Sequence, residues 1–530
     1  MNDLMAVPEW TQVRQKSGLD PLGLQAASVR LYQALLPGIS NVTLRTRYYG
    51  LYTWLSEQYA KRNHDADPEA WKRTVRRAEA LYALTAARAN LEGEHQETGV
   101  AGVLWAQRRL AQHQGGAIDF AAHADPGADA TPYLQQAWGA FGAAYESQLR
   151  EAGVLGGAEA HSLSVPTEII GDNFSGVFAR AAGETGEKFL KIVKAGRVSL
   201  NALDELAPIL PSRIHAQSHE RDAYERMLFA GYPDATENDH ARRKTLTLVL
   251  RVIQLLGEDV EAGDMRWLLY AGHDWEGKSI DIPEPELETQ RRGWWAYQAG
   301  DLGRMAYEAL LKWLLDTLEP HQSGLATDQL IDAALDRLEV TQAGWPKTWS
   351  DLVAALPKAG HCLASDEPTS ELALSWDVLE AGTDERQAPV RSAQAAIELM
   401  AVLSRQCADH RQFFANQHGG DHPDAPGRSF ANELSFLDGQ AGTPIPDLLR
   451  LIFKKRILQR HLWVAMRKLQ YQRDYTFLVE THDGRLRLRA KDGPVATNPR
   501  LGPALTFLKD IHLVDENGLT KRGNRLASAA

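Results

Sequence analysis

The chain has 530 residues, 44% hydrophobic and 24% charged, with 58 Lys and Arg against 69 Asp and Glu for a net charge of −11; that length exceeds what one hydrophobic core supports, so several globular domains are predicted. Two cysteines, Cys362 and Cys407, argue against a disulfide framework and a cysteine-built zinc site. No run of about 18 apolar residues is present, which argues against a membrane span, and the N-terminus MNDLMAVPEWTQVRQ lacks the basic and apolar regions of a signal peptide, so a cytoplasmic protein is expected.

Residues 1–164 read as an N-terminal helical domain. LQAASVRLYQALLPG (24–38) is an amphipathic helix stopped at Pro37 and Gly38, and Ser40 or Asn41 is the expected cap of the next one. Leu44, Tyr48, Leu51, Leu55 and Tyr59 then recur at spacings of three and four, which predicts one buried stripe. Arg45 and Arg47 lie among Tyr48, Tyr52, Trp54 and Tyr59, a combination that can stack bases and hold phosphates on a single-strand platform. The stripe already uses two of those rings and the flanking composition is acidic, so core packing is the expectation. Further helices are predicted at 68–92, 97–113 and 132–152.

Residues 165–364 read as a central helical domain, with Ser199 capping LNALDELAPIL and a loop at 272–286. In RRGWWAYQAGDLGRMAYEALLKWLL (291–315), Trp294, Trp295 and Tyr297 are too closely spaced for one helix face to bury all three. They are the predicted docking surface for a partner protein, since aromatic anchors dominate interface energies. A helical connecting region follows at 365–440. There His418, Asp421 and His422 are possible metal ligands, but the glycines make HGGDH a loop and no metal site is expected.

The same region carries the one enzymatic candidate. Arg405 and His410 in RQCADH resemble the R-x4-6-H motif of HEPN ribonucleases, in which His serves as general acid/base and Arg steadies the phosphate. Arg and His at that spacing recur seven times in the chain, so a solvated helix face is the preferred reading. No GxSxG or HExxH occurs, and no cofactor is expected.

Residues 441–530 read as a basic C-terminal domain. From Arg450 onward there are seventeen Lys and Arg against seven Asp and Glu, leaving 41 basic and 62 acidic residues before it. Such asymmetry predicts a polyanion-binding end on an acidic body. DLLRLIFKKRILQRHLWVAMRKLQYQ (447–472) is predicted as one helix with Leu448, Leu451, Ile452, Leu458, Leu462, Met466 and Leu469 facing the core and Arg450, Lys454, His461 and Lys468 on another side. YTFLVETHDGRLRLRA is predicted as a β-hairpin across His482-Asp483-Gly484, so that Arg485, Arg487 and Arg489 share one face. A helix from Pro499 to Ile511, then a strand-turn-strand at HLVDENGLTKRG, has the pattern of the closing half of a winged helix. Arg485, Arg487, Arg489, Arg500, Lys509, Lys521 and Arg522 are the predicted nucleic-acid contacts, dominated by phosphate rather than base reading.

GLDPLGLQAASVRLYQALLPGISNVTLRTRYYGLYTWL (18–55) and RHLWVAMRKLQ (460–470) together resemble a bacterial protein family associated with phage-defence and mobile-element gene neighbourhoods. The resemblance implies a component of a multi-protein defence system, and it brings no catalytic residues with it. The expectation is a mainly α, multi-domain helical body with a C-terminal β-hairpin and winged-helix-like domain. Its expected role is a non-catalytic recognition or adaptor subunit that binds DNA and a partner protein carrying ATPase or nuclease activity. A HEPN-like ribonuclease and a winged-helix transcriptional regulator are the alternatives.

Overall fold

A computed structural model describes residues 20–528 apart from 63–66, 94–96, 126, 128–130, 159–160, 341–342, 357–361 and 419–428. The class is mainly α, as the helical periodicity predicts, and among the described residues the strands form only two-stranded antiparallel pairs. Where the sequence suggests four consecutive segments, the chain folds into two compact units, each assembled from separate stretches. The first comprises Met1–Leu31, Trp275–Lys278 and Arg292–Thr497; the second comprises Tyr32–Asp274, Ser279–Arg291 and Asn498–Ala530. The expected 441–530 domain is thereby divided, its long helix and hairpin in the first unit and everything from Asn498 onward in the second.

In the second unit the helix Arg47–Arg62 packs along Ile170–Ala195 and meets Pro68–Glu92 through the ring pairs Tyr48–Tyr82 and Tyr59–Trp71. Asp67 caps Pro68–Glu92, its side chain accepting from the Glu69 N–H, and Pro68 occupies the first turn where its missing N–H costs nothing. The tyrosine-rich stretch is core, as expected: Tyr48, Tyr49, Tyr52, Trp54 and Tyr59 are all buried. Arg47 is buried with them, forked onto Glu220 at 2.9 and 3.1 Å and donating to the Pro208 and Leu210 carbonyls. Arg45 donates to Asp510 and to the Thr98 carbonyl. With Tyr48, Tyr52, Trp54 and both guanidiniums spent inside the fold, these residues do not form a single-strand platform. Leu44 departs from the predicted stripe and is exposed.

Ser40 closes a turn with Thr43 instead of capping the next helix, which begins at Arg47 with the Asp510 carboxylate accepting the Thr46 N–H at 3.0 Å. Asp510 ends the helix Leu501–Asp510, which is followed, as predicted, by paired strands at Val514–Asp515 and Gly518–Leu519. Six of its ten residues are buried, and Phe507 stands edge-on to Tyr49 at 5.5 Å. This helix thus commits its inner face to the core of the second unit.

The first unit is organised on the helix Pro285–Leu318 beyond Arg292. Trp294 and Tyr297 are buried and Trp295 is half-buried against Phe414, so these rings do not present the exposed surface predicted for them. The premise that one face cannot bury all three rings is sound, but every residue of this helix from Ala296 to Leu318 is buried, whatever its polarity.

Within that enclosure Asp301, Arg304, Glu308, Lys312 and Asp316 are all buried and fall at three- and four-residue steps along one stripe. Arg304 donates to Asp301 and Glu308 and to the Val495 carbonyl. Lys312 pairs with Asp316 at 2.7 Å and donates to the Arg386 carbonyl. Asp316 also takes the Ala388 N–H and the Lys491 ammonium, and Asp301 takes the Thr497 N–H. One stripe thus anchors two segments that lie outside helices and strands, 385–388 and 491–497.

Removing one member of such a network strands the others in a low dielectric. Asp316→Ala is expected to cost about 3–5 kcal/mol, read as a lower denaturant midpoint for the first unit. The paired change Lys312→Met with Asp316→Leu is expected to cost less, and an equal or larger loss would contradict the network's role.

Candidate nucleic-acid interface

The helix predicted over 447–472 is interrupted by a π-helical turn, Ile452–Leu458, between Ile445–Leu451 and Gln459–Gln472. Each residue of an α-helix advances by about 100°, so a wider turn shifts the phase of everything after it. Before the turn the predicted core residue Leu448 is buried and within it Ile452 and Leu458; after it the buried set is His461, Val464 and Ala465. Met466 and Leu469, predicted inside, are 46% and 38% exposed. The shift also brings Trp463, Arg467 and Tyr471 to the surface on one i, i+4, i+8 line, with Trp463 41% and Tyr471 79% exposed. The Arg467 guanidinium lies 4.8 Å from the Trp463 ring centre and 6.0 Å from that of Tyr471, within cation–π reach.

His461, predicted on the solvated side, becomes the joint of this region. Its Nδ1 donates to the Pro21 carbonyl at 3.1 Å and its Nε2 accepts the Leu478 N–H at 2.9 Å. Burial holds its pKa down to about 4, with the Lys468 charge adding to the effect and the Pro21 carbonyl opposing it. A neutral imidazole of one tautomer is the form that makes both bonds.

Beyond it the hairpin forms as predicted, Val479–His482 against Arg485–Leu488. Asp483 (φ 49°) and Gly484 (φ 72°) are both left-handed, as a two-residue type I′ turn requires. Leu486 points inward and exchanges backbone hydrogen bonds with Leu325. Gly324 is left-handed at φ 77°, and a Cβ there would stand 2.5 Å from the Leu486 carbonyl. Arg485, Arg487 and Arg489 are exposed as predicted. In register they share their face with Glu480 and His482, and Glu480 pairs with Arg489 at 3.3 Å. Arg485 donates to the Gly324 carbonyl at 3.3 Å.

Two grooves flank Gln459–Gln472. One, of about 270 Å³, is lined by Asp20, Gly23, Trp463, Arg467 and Tyr471. The other, of about 370 Å³, is lined by Leu462, Tyr475, Phe477, His482, Arg487 and Arg489. Tyr475 and Phe477 lie with ring centres 5.3 Å apart. Arg473, exposed at the end of the helix, and Arg487 have no carboxylate within ion-pair distance among the described residues. Aromatic rings and guanidiniums are therefore interleaved from Trp463 to Arg489.

The remaining predicted contacts lie in the second unit, and most are spent there. Arg500 is buried, donating to the Leu36 carbonyl and lying over the Tyr32 ring. Lys509 pairs with Asp259, and Arg522 with Asp222 and Glu225. Lys521 is exposed. Arg500 is thus inside the fold instead of on the predicted surface, and Arg522 is half-buried in its ion pairs.

Arg405 and His410 stand on different elements. The helix Val390–Gln406 ends between them, and Arg405 donates to the Val353, Ala354 and Leu356 carbonyls, closing the end of the helix Trp349–Ala355. His410 is exposed, edge-on to Trp295 with Arg292 at 3.4 Å. His418 is buried with its Nε2 donating to the Ala296 carbonyl, while Asp421 and His422 lie outside the described residues. Among the described residues no cluster of three or more His, Cys, Asp or Glu is placed to hold a metal, and no helix is long and apolar enough to cross a membrane.

Trp463, Arg467, Tyr471, Tyr475 and Phe477 are the residues that sequence reasoning missed. Their signal, an aromatic-Arg-aromatic line at four-residue steps, was present but belonged to a helix assigned a different phase. No protein-family model matches the chain, and no curated protein or solved structure is significantly similar to it.

His461 and His418, the latter also held down to about 4 by burial, make the first unit acid-sensitive. Their folded-state values lie below the ordinary 6.5, so the unfolded chain binds more protons between pH 6.5 and 4 and stability falls as pH drops through that window. Each contributes a loss of about 3 kcal/mol when the window is fully crossed. Denaturant melts at pH 7 and 4.5 should show His461→Gln losing less on acidification than wild type; an unchanged difference would contradict the assignment.

Proposed function

We propose that the protein is a non-catalytic nucleic-acid-binding subunit that holds a single strand along Gln459–Gln472 and the hairpin that follows. The observation that carries this reading is the alternation of Trp463, Arg467, Tyr471, Arg473, Tyr475, Phe477, Arg485 and Arg487 over one stretch whose rings and cations are exposed or half-buried. Every base offers a π-face, so stacking holds any sequence, at about 1–3 kcal/mol per base. The guanidiniums supply the sequence-independent phosphate term. A single strand is favoured over duplex because its bases are free to stack and because the helix Leu501–Asp510 is occupied by core packing. DNA bound mainly through phosphates remains the proposed ligand. The adaptor role, with a partner carrying ATPase or nuclease activity, is supported by the resemblance to a defence-associated family.

Four to five phosphate contacts on a single strand imply a log–log salt slope of roughly −3, at about 0.7 per contact. Fluorescence anisotropy of labelled oligo(dT) with the full chain should show that slope and weaker binding to duplex. Arg467→Glu with Arg485→Glu and Arg487→Glu should bring the slope to roughly −1. Trp463→Ala with Tyr471→Ala should weaken binding without changing it. A folded protein that ignores oligo(dT) at low salt, or prefers duplex, would sink the reading.

A further inference from the structure

The second unit contains a cleft of about 400 Å³ between the helices Arg47–Arg62, Pro68–Glu92 and Ile170–Ala195. Its polar lining includes Arg62, Arg73, Arg77 and Lys194 and, among the described residues, contains no carboxylate. Its apolar lining is Leu55, Leu190 and Val193, with the ring of Tyr59. Tyr59 is fixed by its hydroxyl, which donates to the Asp67 carbonyl at 3.3 Å, and by the Trp71 ring at 5.1 Å.

The four cations differ in what they have left to offer. Arg77 is locked: Asp125 takes two of its donors at 2.6 Å each, and the Lys194 carbonyl takes a third at 3.1 Å. It therefore supplies positive potential rather than a contact. Arg62 faces Glu187 at 3.3 Å with both side chains about half exposed, a pairing that solvent weakens and a stronger anion displaces. Arg73 and Lys194 are exposed, and no carboxylate lies within ion-pair distance of either side chain among the described residues. Like charges gathered in one concavity repel each other until an anion enters, and the apolar wall makes a bare anion a poor fit.

We propose that this cleft binds a nucleoside phosphate, its base against Leu55, Tyr59, Leu190 and Val193 and its phosphates on Arg73, Lys194 and Arg62. The volume falls within the ~300–1,000 Å³ range of small-molecule sites, and guanidinium and ammonium groups are the side chains that recognise phosphate. The nucleoside phosphate has two possible sources, a free nucleotide or the 5′-phosphorylated end of a strand.

Calorimetry of the full chain with ATP in low-salt buffer tests this. Saturable one-to-one binding is expected, weakened at least tenfold by Arg73→Glu with Lys194→Glu and untouched by Arg467→Glu with Arg485→Glu and Arg487→Glu. The Arg73/Lys194 variant should keep wild-type oligo(dT) binding, so this inference and the single-strand reading fail separately. Competition by a 5′-phosphorylated hexanucleotide identifies the source: tighter binding than ATP assigns a strand end, weaker binding a free nucleotide. No saturation by ATP at millimolar concentration, equal binding by the folded variant, or pyrophosphate binding as tightly as ATP would each overturn the proposal.

Discussion

The buried charge stripe of the central helix is the constraint on which the first unit depends. Asp301, Arg304, Glu308, Lys312 and Asp316 cannot face water, so each must be answered from within. The answers come from backbone and side chains of two segments outside helices and strands: Arg386 and Ala388 on one, Lys491, Val495 and Thr497 on the other. Segments with no helix or sheet partner of their own are thereby given a fixed course along the helix. The hairpin Val479–His482/Arg485–Leu488 lies immediately before the second of them, and Leu325, on the chain that follows the same helix, pairs with Leu486. The placement of the exposed arginines is thus set from below. Electrostatics that reads as a cost in the core becomes positional information at the surface.

Charge counted along the chain and charge left on the surface are different quantities here. The seventeen Lys and Arg from Arg450 onward outnumber seven acids in their own stretch, yet many are met by acids from earlier in the sequence. Arg450 pairs with Asp332, Lys454 with Asp328, Arg456 and Arg460 with Glu433, Lys491 with Asp316 and Glu319. In the second unit Lys509 meets Asp259, and Arg522 meets Asp222 and Glu225. The basic end and the acidic body are complementary halves of the same folded units, which accounts for much of the asymmetry without a polyanion. What remains for a ligand is the smaller set around Arg467, Arg473, Arg485 and Arg487.

Helical class, the tyrosine-rich core, the Ser199 cap and the hairpin with its arginine face were all legible, because each rests on local periodicity or turn chemistry. The π-turn was not: nothing in Ile452–Leu458 distinguishes it from α-helix, and one extra residue in the turn moved Met466 and Leu469 out and His461 in. Trp294 and Tyr297 show a second limit. Spacing tells how wide the apolar surface is, but only the surrounding elements tell how much of the circumference is covered. Arg500 shows a third, since its partner, the Leu36 carbonyl, is remote in sequence. The division at Thr497/Asn498 belongs with these, because a core built from distant stretches leaves no mark of composition at its boundary.

The negative charge of the residues before Arg450 gives an expectation of repulsion from any polyanion, yet it does not govern the cleft of the second unit. At physiological salt the screening length is about 8 Å, so a phosphate entering between Arg73 and Lys194 senses the cations lining its walls far more than carboxylates across the surface. Two of those cations are partnered, by Asp125 and by Glu187, and the partners contribute unequally. Asp125 holds Arg77 with both oxygens and keeps the guanidinium charged and aimed, since that pairing raises its pKa. Glu187 holds Arg62 loosely at the rim, where exchange of one carboxylate for a doubly charged phosphate is favourable. Local acids therefore orient the basic walls rather than cancel them, and a net count over hundreds of residues has no bearing on which sign of ligand the cleft accepts.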